Sequence, residues 1–571
     1  MTITMSQRLM SSPYSRRHCI HPAQHAPVFR LPRELLDEIF IQACSDSNVL
    51  HAYHSPMTIS HVCRWWRQAS TSCGALWTNI VLCLRPRSHP KLSHSDPMVN
   101  SWLARSQSYP LNVLLDMRDP SWLPLDPCFE DWEEDSHRFT ISEMESVLNM
   151  FLPHLPRWKA FELRTDTWAP IHHFLSRVEH LPAPRALESL VLQRCNAHFL
   201  RKGQIFKPPS RQAAIPLFSH SGIHGGGLKE LTLSGVHVDW ARSLPPSLVQ
   251  GLVKLEFKFH SSSVMPSFDE FETILSSCSR LETLTIAGWG PKPDFNGPRT
   301  GQGFLPKREA GTRRIVLKRV STFHLGLVDI QYAMELLSHL HMPRLRYLQL
   351  EDVQNFMSPV ELDVAPLLAW LLDCQPSCAT ILPSISSYPF QLLQLESVKL
   401  VSLAVSDANC LRNFFASLSR VQEIHLERCS ADFISALDLP RHHRLAVEVP
   451  CPALDTLRCV AMHCSTSCGT PLFDVLHTRA MLGKGPKHFI CENPRSTLTE
   501  WESNLLCKGS RISIEDIVKE PDVRDSDSDS NSELGSEIDE GGAESVNEED
   551  YDTDCTEASI HRIELGSKRE T

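Results

Sequence analysis

The feature that most constrains the fold of this 571-residue chain is a short phrase that recurs through its middle. The phrase reads apolar-x-x-apolar-x-apolar, as in LESLVL, LETLTI and LRYLQL. Its nine copies begin at residues 158, 187, 228, 252, 281, 345, 395, 421 and 454, and a degenerate copy, TRRIVL, begins at 312. Apolar side chains that alternate in this way predict a short strand with one buried face.

The copies recur at intervals of 24 to 50 residues, with helix-like segments between them, such as 268–278 and 410–419. Strand, turn, helix and return make up the unit of a leucine-rich repeat, and such units become stable when stacking buries a shared core. We therefore predict an α/β chain with an irregular leucine-rich-repeat solenoid over residues 151–510. A single irregular α/β domain is the alternative. The Pro/Gly-rich stretches 201–227 and 288–311 are predicted to be exposed loops, of which the second is basic and either contacts a partner or is a plain surface loop.

The N-terminal region predicts two amphipathic helices, over residues 30–44 and 58–71. At helical spacing, one face of the first helix carries Leu35, Leu36, Ile39, Phe40 and Ala43. One face of the second carries Ile59, Val62, Cys63, Trp66 and Ala69. Trp65 lies off that stripe and is expected to be partly exposed or to face the first repeats. Helices of this size bury little by themselves, so their apolar faces must meet another domain or another protein.

The two ends of the chain differ in charge. The first acidic residue is Glu34, so the leader is basic, and it is predicted to be disordered or, alternatively, a mitochondrial transit segment. Residues 521–571 carry 17 acidic and 4 basic residues and are predicted to be disordered. An acidic residue follows three positions after each of three candidate phosphorylation sites, Ser526, Ser530 and Ser536. A passive solubilising tail is the alternative.

The predicted organisation is a disordered segment over residues 1–28, a helical domain over 29–84, a connecting region over 85–150, the repeat region over 151–510 and an acidic tail over 511–571. The net charge of -11 comes from that tail, so no basic stripe indicates nucleic-acid binding. Nineteen scattered cysteines without a signal peptide indicate free thiols in a reducing cytoplasm or nucleus. No run of 18 apolar residues predicts a membrane span.

Sequence motifs for catalysis are missing. The chain contains no phosphate-binding P-loop, no HExxH and no GxSxG, and no histidine spacing nominates a base beside a nucleophile. The nearest metal-like clusters are Cys374 with Cys378, and Cys459 with His463, Cys464 and Cys468. Neither has paired C-x2-C spacing, and Cys459 also fills the last apolar position of a repeated phrase. We predict no catalytic residue, no cofactor and no metal.

Three N-terminal segments together resemble an F-box: LPRELLDEIF (31–40), VCRWWRQAS (62–70) and ALWTNI (75–80). Their order, spacing and residue types agree with the family pattern, although the stretch between the first two is longer and more polar than is typical. Segments 102–117 and 152–163 resemble the large F-box family of mushroom-forming fungi.

The resemblance implies a role in ubiquitination. F-box proteins dock on a Skp-type adaptor, and through it on a cullin, and present a protein substrate with their C-terminal repeats, without catalysing a reaction themselves. The residues carried over to a first docking ridge are Leu31, Pro32, Leu35, Leu36, Ile39 and Phe40. Those expected to pack the helices and complete the interface are Val62, Cys63, Trp66 and Trp77. The alternatives are an internal helical core for these residues, a repeat scaffold that assembles no ligase, and an enzyme with an unrecognised site.

Overall fold

The structure is a computed structural model. It describes residues 27–44, 49–84, 97–119, 137–194, 209–218, 227–293, 304–305, 314–354, 362–374, 389–438, 449–462, 469–491, 498, 503–509 and 512–516. The chain divides into two compact units, a helical unit (Met1–Val81 with Ser95–Val113) and a sheet unit (Leu82–His94 with Leu114–Thr571). Most of the two predicted loops, nearly all of the basic leader, and the three candidate phosphorylation sites lie outside the described residues.

The helical unit contains α1 (Arg33–Ala43), α2 (Val49–Val62), α3 (Arg64–Ser72), a 3-10 turn (Gly74–Trp77) and α4 (Pro97–Arg105). The predicted continuous helix over 58–71 is wrong, because α2 ends at Val62 and α3 begins at Arg64. Cys63 between them is extended, and its Sγ accepts the backbone N–H of Trp66 at 3.4 Å, so it caps α3. The single stripe predicted through Ile59, Val62 and Trp66 therefore does not exist.

Helix α4 lies in the segment that was expected to be a connecting region. Its Trp102 is 2% exposed and belongs to the same core as Leu36, Phe40 and Trp77. The helical unit therefore extends past residue 84, and the aromatic surface of α4 completes a core that the shorter predicted domain could not bury by itself.

The sheet unit is a mixed α/β structure with a large parallel sheet. The boundary between the two units falls within β1 (Asn79–Cys83) and β2 (Leu111–Asp116). The later strands are β3 (Trp158–Thr165), β4 (Ser189–Arg194), β5 (Glu230–Ser234), β6 (Lys254–Lys258), β7 (Thr283–Ala287), β8 (Ile315–Val316), β9 (Thr322–Leu327), β10 (Leu340–His341), β11 (Tyr347–Asp352), β12 (Ser397–Val401), β13 (Glu423–Glu427), β14 (Thr456–Val460), β15 (His488–Cys491) and β16 (Ser513–Asp516). Strands β3–β7, β9 and β11–β16 follow one another in chain order, and each neighbouring pair is parallel.

Helices lie between many of these strands in the chain. They are α5 (Ile141–Phe151), α6 (Trp168–Val178), α7 (Trp240–Ser243), α8 (Pro246–Val249), α9 (Phe268–Ser277), α10 (Ile330–His339), α11 (Ala365–Asp373), α12 (Ala408–Ser417), α13 (Ala431–Ser435) and α14 (Gly469–Met481). The predicted helical segments 268–278 and 410–419 correspond to α9 and α12. In α9 the Ser267 hydroxyl and the Glu270 carboxylate form a capping box, which fixes where the helix begins.

All nine regular copies of the repeated phrase contribute a strand to the parallel sheet, so that prediction is confirmed. The degenerate copy was wrong as a member of this sheet, because its β8 pairs only with β10 in a separate two-stranded sheet. The strand at that place is β9, whose phrase Val320-x-x-Phe323-x-Leu325 the sequence reading missed. The predicted acidic tail also began too early, since Ser513–Asp516 form β16.

Register aligns the apolar positions of the phrase into two buried rows. One row contains Leu190, Leu231, Leu255, Leu284, Phe323, Leu348, Val398, Ile424, Leu457 and Phe489. The other contains Leu192, Leu233, Phe257, Ile286, Leu325, Leu350, Leu400, Leu426, Cys459 and Cys491. Nearly all of these side chains are fully buried, and each contributes about 1.5–3 kcal/mol of burial free energy.

Candidate functional site

Three of the expected docking residues form the core of the helical unit. Leu36 and Phe40 are 1% exposed, and Trp77 is fully buried. The indole N–H of Trp77 donates to the Ser70 carbonyl at 2.8 Å, and its ring meets Trp102 edge-on, with centroids 5.1 Å apart. These side chains support the surface from below and present almost no area of their own to a partner.

A different set of apolar side chains on the same unit faces solvent. Leu35 and Ile39, one turn apart on α1, are 53% and 50% exposed, and Val62 at the end of α2 is 58% exposed. Pro32 is exposed and Leu31 is half-buried. Helix α1 therefore has two apolar faces: Leu36 and Phe40 bury one, whereas Leu35 and Ile39 leave the other in water. Large apolar side chains exposed together on one helix face are typical of an interaction surface.

The remaining aromatic residues of this region pack partly into the core. Trp66 is half-buried, and its ring lies 4.9 Å from that of Phe40, between centroids. Trp65 is also half-buried and packs against the same core, which accounts for a tryptophan that lay off the predicted stripe. Cys63 is half-buried as the cap of α3. The concentration of tryptophan in this segment therefore reflects the small volume of a core that must be filled by large side chains.

Hydrogen bonds from Arg33 fix the exposed face of α1 relative to α3. The guanidinium donates to Asp37 at 2.9 Å and to the Ala69 carbonyl at 2.7 Å, and it also hydrogen-bonds the Ser72 hydroxyl. Because one side chain spans α1 and the last turn of α3, Leu35 and Ile39 are held on a rigid support. A preorganised surface loses little conformational freedom when a partner binds.

The sheet unit presents a polar surface on the side opposite its buried rows. The central outer row, defined by strand register, contains Glu162, Val191, Thr232, Glu256, Thr285, His324, Gln349, Lys399, His425 and Arg458. Strands with one apolar and one polar face bury the first. In this outer row Thr232, Glu256 and Thr285 are buried as well, and the other side chains are half-buried.

Glu256 is the most strongly perturbed acid in this row. Burial by itself would raise the pKa of the carboxyl, but Lys258 at 3.1 Å and Lys254 at 3.2 Å outweigh it. The Thr232 hydroxyl donates to the carboxylate at 2.8 Å as well, and the pKa falls to about 2. Glu256 is therefore ionised, and its carboxylate is bound by Lys254, Lys258 and Thr232. These interactions stabilise the sheet and make Glu256 unsuitable as a catalytic acid.

A second charged group lies further along the sheet, from β9 to β13. Glu427 accepts from Arg428 at 2.7 Å and lies 3.2 Å from the Lys399 ammonium. His324 Nε2 lies 2.9 Å from a carboxylate oxygen of Glu351. Burial would raise the pKa of Glu351, but His324 and the charges of Lys399 and Arg428 outweigh that effect and lower it.

Among the described residues, a buried contact between a histidine and an aspartate is the arrangement that most resembles a catalytic pair. His137 Nε2 lies 3.1 Å from Asp166, and His137 Nδ1 accepts the backbone N–H of Phe139 at 3.1 Å. Both ring nitrogens are engaged, so neither is available to take a proton from a substrate. His260 is buried, and burial with the nearby Arg194 lowers its pKa to about 3, so this imidazole is neutral.

The metal-like cysteine clusters divide between described and undescribed residues. Cys459 is 4% exposed in a buried row, next to Leu426 and Cys491 in register, which fits a core position. Its three neighbours in sequence, His463, Cys464 and Cys468, lie outside the described residues, as does Cys378, whereas Cys374 is half-buried directly after α11. Within the described ranges, no group of three or more His, Cys, Asp or Glu side chains could hold a metal ion.

In the part of the chain that the structure describes, no helix has both the length and the apolarity that crossing a bilayer requires. Neither a protein-family model nor a curated protein sequence matches this chain.

Proposed function

We propose that this protein is the substrate-recognition subunit of a Skp–cullin–F-box ubiquitin ligase. The observation that carries the proposal is the exposed apolar face of α1, formed by Leu35 and Ile39, together with an exposed Val62 at the end of α2. These residues fall within the segments 31–40 and 62–70, and they are among the positions that carry the resemblance of those segments to an F-box.

The energetics of this face suit adaptor docking. Leucine, isoleucine and valine side chains each contribute about 1.5–3 kcal/mol when an exposed surface becomes fully buried. Interface free energy concentrates in a few such anchors, surrounded by polar residues that exclude water. On α1 the anchors alternate with exposed charged residues, among them Glu34 and Glu38. The buried Leu36, Phe40 and Trp77 would act indirectly, by holding the anchors in place.

The sheet unit supplies the second half of the proposal. Its parallel strands follow chain order and repeat one apolar phrase, which favours a leucine-rich-repeat solenoid as the substrate-binding part. A substrate held there would lie in the same complex as the ubiquitin-charged enzyme that the cullin recruits. The gain is proximity, which raises the effective concentration of substrate lysines without any catalytic residue in this chain.

The second candidate function is a scaffold that binds a partner through the sheet and assembles no ligase. The charged outer row of the sheet favours it, because that surface is complete without any contribution from α1. Adaptor binding distinguishes the two candidates.

Co-purification of the full-length chain with a Skp-type adaptor and a cullin tests the proposal. The unaltered protein is expected to retain the adaptor, and the double variant Leu35→Asp, Ile39→Asp is expected to lose it, because two anchors become charged. Leu482→Asp is the matched control, since Leu482 is 59% exposed but belongs to the sheet unit. Failure of the unaltered chain to bind, or equal retention by the double variant, would refute the ligase role.

Phe40→Asp is unsuitable for this experiment. Its side chain is 1% exposed, so a charge there disrupts the fold of the helical unit and abolishes binding whatever the surface does. Thermal unfolding of each variant, measured beside the pull-down, separates a lost contact from a lost fold.

A further inference from the structure

One buried row of the sheet contains two cysteines that lie side by side. Cys459 on β14 is in register with Cys491 on β15. Their side chains are 4% and 2% exposed, and neither cysteine forms a disulfide. From β4 to β13 the same row contains only leucine, isoleucine and phenylalanine. Larger apolar side chains thus fill the rest of the row, and the adjacent thiols add a reactivity that burial does not require.

The spacing of the strands permits a bond between these two thiols. Neighbouring strands lie about 4.8 Å apart, and side chains in register project from the same face of the sheet. Disulfide-bonded cysteines have Cα atoms about 4.4–6.8 Å apart, so neither strand must shift. The Cβ atoms must approach to about 3.8 Å, which is closer than the strand spacing, so the bond would be strained. Strained disulfides are readily reduced and are typical of reversible, regulatory pairs.

Other buried thiols in this part of the sheet unit are placed differently. Cys429 Sγ donates to the Leu400 carbonyl at 3.4 Å, and Cys451 Sγ donates to the Phe415 carbonyl at 3.3 Å. Burial raises the pKa of the Cys429 thiol to about 11 and that of the Cys451 thiol to about 12, so both stay protonated. Within the described strands, register places no other two cysteines beside each other. The pair on β14 and β15 is therefore distinguished by its position.

We propose that Cys459 and Cys491 form a reversible redox pair, in which hydrogen peroxide converts the two thiols to a disulfide that ties β14 to β15. In the first step one thiolate attacks a peroxide oxygen, becomes a sulfenic acid and releases hydroxide. The second sulfur then displaces hydroxide from the sulfenic acid and forms the S–S bond. The two thiol protons neutralise the two hydroxides, so two thiols and one peroxide give one disulfide and two water molecules. This pair is independent of adaptor binding and of the ligase proposal.

Access to the pair depends on its place near the end of the sheet. Only β16 follows β15 in the strand order, whereas several strands flank each side of β7 or β9. Elements at the end of a fold open locally at a lower free energy than those at its centre. Hydrogen peroxide is only slightly larger than water, so a small opening admits it. Larger disulfide oxidants need a wider opening, and we therefore assign the oxidant to the peroxide class.

The disulfide would act on the C-terminal strands. It closes a covalent loop from Cys459 to Cys491 that contains α14, and it restricts the local opening of β14 and β15. Disulfides that form in a reducing cytoplasm are usually transient and sense oxidants. Thiol–disulfide exchange would break the strained bond and restore the opening. The oxidation state of the pair would thus set how readily the last strands of the sheet open.

Peroxide titration of the reduced full-length protein tests the pair. Remaining thiols are alkylated, and non-reduced peptides are analysed by tandem mass spectrometry. We expect a Cys459–Cys491 link at a peroxide dose that also oxidises the exposed Cys507, and dithiothreitol should reverse it. Cys278, buried at the end of α9, is the internal control and should stay reduced. Hydrogen exchange in the oxidised protein should slow about tenfold or more in β14 and β15 and stay unchanged in β5–β7.

Variants assign the link to these two sulfurs. Cys459→Ala and Cys491→Ala each keep an apolar side chain in the row and should abolish both the link and the slowed exchange, whereas Cys278→Ala should preserve them. Cys464 and Cys468 lie close to Cys459 in the sequence, so the double variant Cys464→Ser, Cys468→Ser should also preserve the link.

Three outcomes would each overturn the proposal. The first is that Cys459 and Cys491 stay reduced at the peroxide dose that oxidises Cys507. The second is that the link disappears in the variant Cys464→Ser, Cys468→Ser, because the bond would then belong to a different cysteine. The third is a link that forms between two chains, detected as mixed isotope composition when light and heavy labelled protein are oxidised together.

Discussion

The helical unit and the sheet unit bury apolar surface in opposite ways. In the sheet unit, repeated short strands place apolar residues in two continuous rows and leave the opposite side charged. In the helical unit, a few large aromatic side chains fill a small core, while Leu35, Ile39 and Val62 stay in water. The apolar rows of the sheet are buried within its own unit, whereas α1 leaves one of its two apolar faces exposed. An unsatisfied apolar face on a small unit is what an obligate binding partner would cover.

The largest expected effect comes from emptying the small core. Phe40→Ala removes a ring that is 1% exposed and packs at a tilt against Trp66, and we expect a loss of about 3–5 kcal/mol from the stability of the helical unit. Hydrogen exchange should quicken at the amides of α1 and α3 and stay unchanged in β5–β7. Phe257→Ala, at a fully buried position of the sheet, should give the reverse pattern. Quickened exchange in both units after either substitution would show that the two cores are not separate.

The next effect in size concerns charge on the sheet. Glu256 has its pKa lowered from 4.5 to about 2. A carboxyl with a depressed folded-state pKa stabilises the fold fully above the unfolded value, near 4.5, and loses this contribution as the pH falls towards 2. Glu256→Gln should therefore cost roughly 3 kcal/mol at pH 7, and the difference from the unaltered protein should shrink between about pH 4.5 and 2.

Denaturant unfolding at a series of pH values measures this difference. The control is Glu188→Gln, whose partner Lys229 lies 3.1 Å away but whose side chain is 40% exposed. Solvent screens such a pair, so its loss should change stability by less than about 1 kcal/mol at every pH. A loss of unfolding free energy in Glu256→Gln that does not vary with pH would mean that packing, and not charge, accounts for the contribution of Glu256.

The sequence predicted the sheet better than the helices. Each regular copy of the phrase became a strand, because alternating apolar residues within a stacked register leave only one face to bury. The prediction was wrong where two nearby segments fit the same pattern, the degenerate copy at 312 and Val320-x-x-Phe323-x-Leu325. Long-range pairing with β7 and β11 places the second, as β9, in the main sheet. Cys63 broke a helix that periodicity made continuous, because a capping sulfur is not an apolar-pattern signal.

Side-chain burial on α1 was the least predictable part of the candidate site. Leu35, Leu36, Ile39 and Phe40 all lie on one broad apolar stripe by spacing, and nothing in the sequence separates a buried pair from an exposed pair. The separation depends on where α3 and α4 pack, which is a tertiary outcome.

The smallest expected effect on stability tests the comparison most directly. Leu35→Asp with Ile39→Asp replaces side chains that are half or more exposed, so we expect the stability of the isolated protein to change by only about 0.5 kcal/mol. A slight gain is consistent, because exposed apolar surface carries no folding benefit. The same double variant should abolish adaptor binding, so a large effect on binding beside a negligible effect on unfolding would mark this face as an interface. A cost above about 2 kcal/mol in thermal or denaturant unfolding would instead place these residues in an internal core, contrary to the exposure seen here.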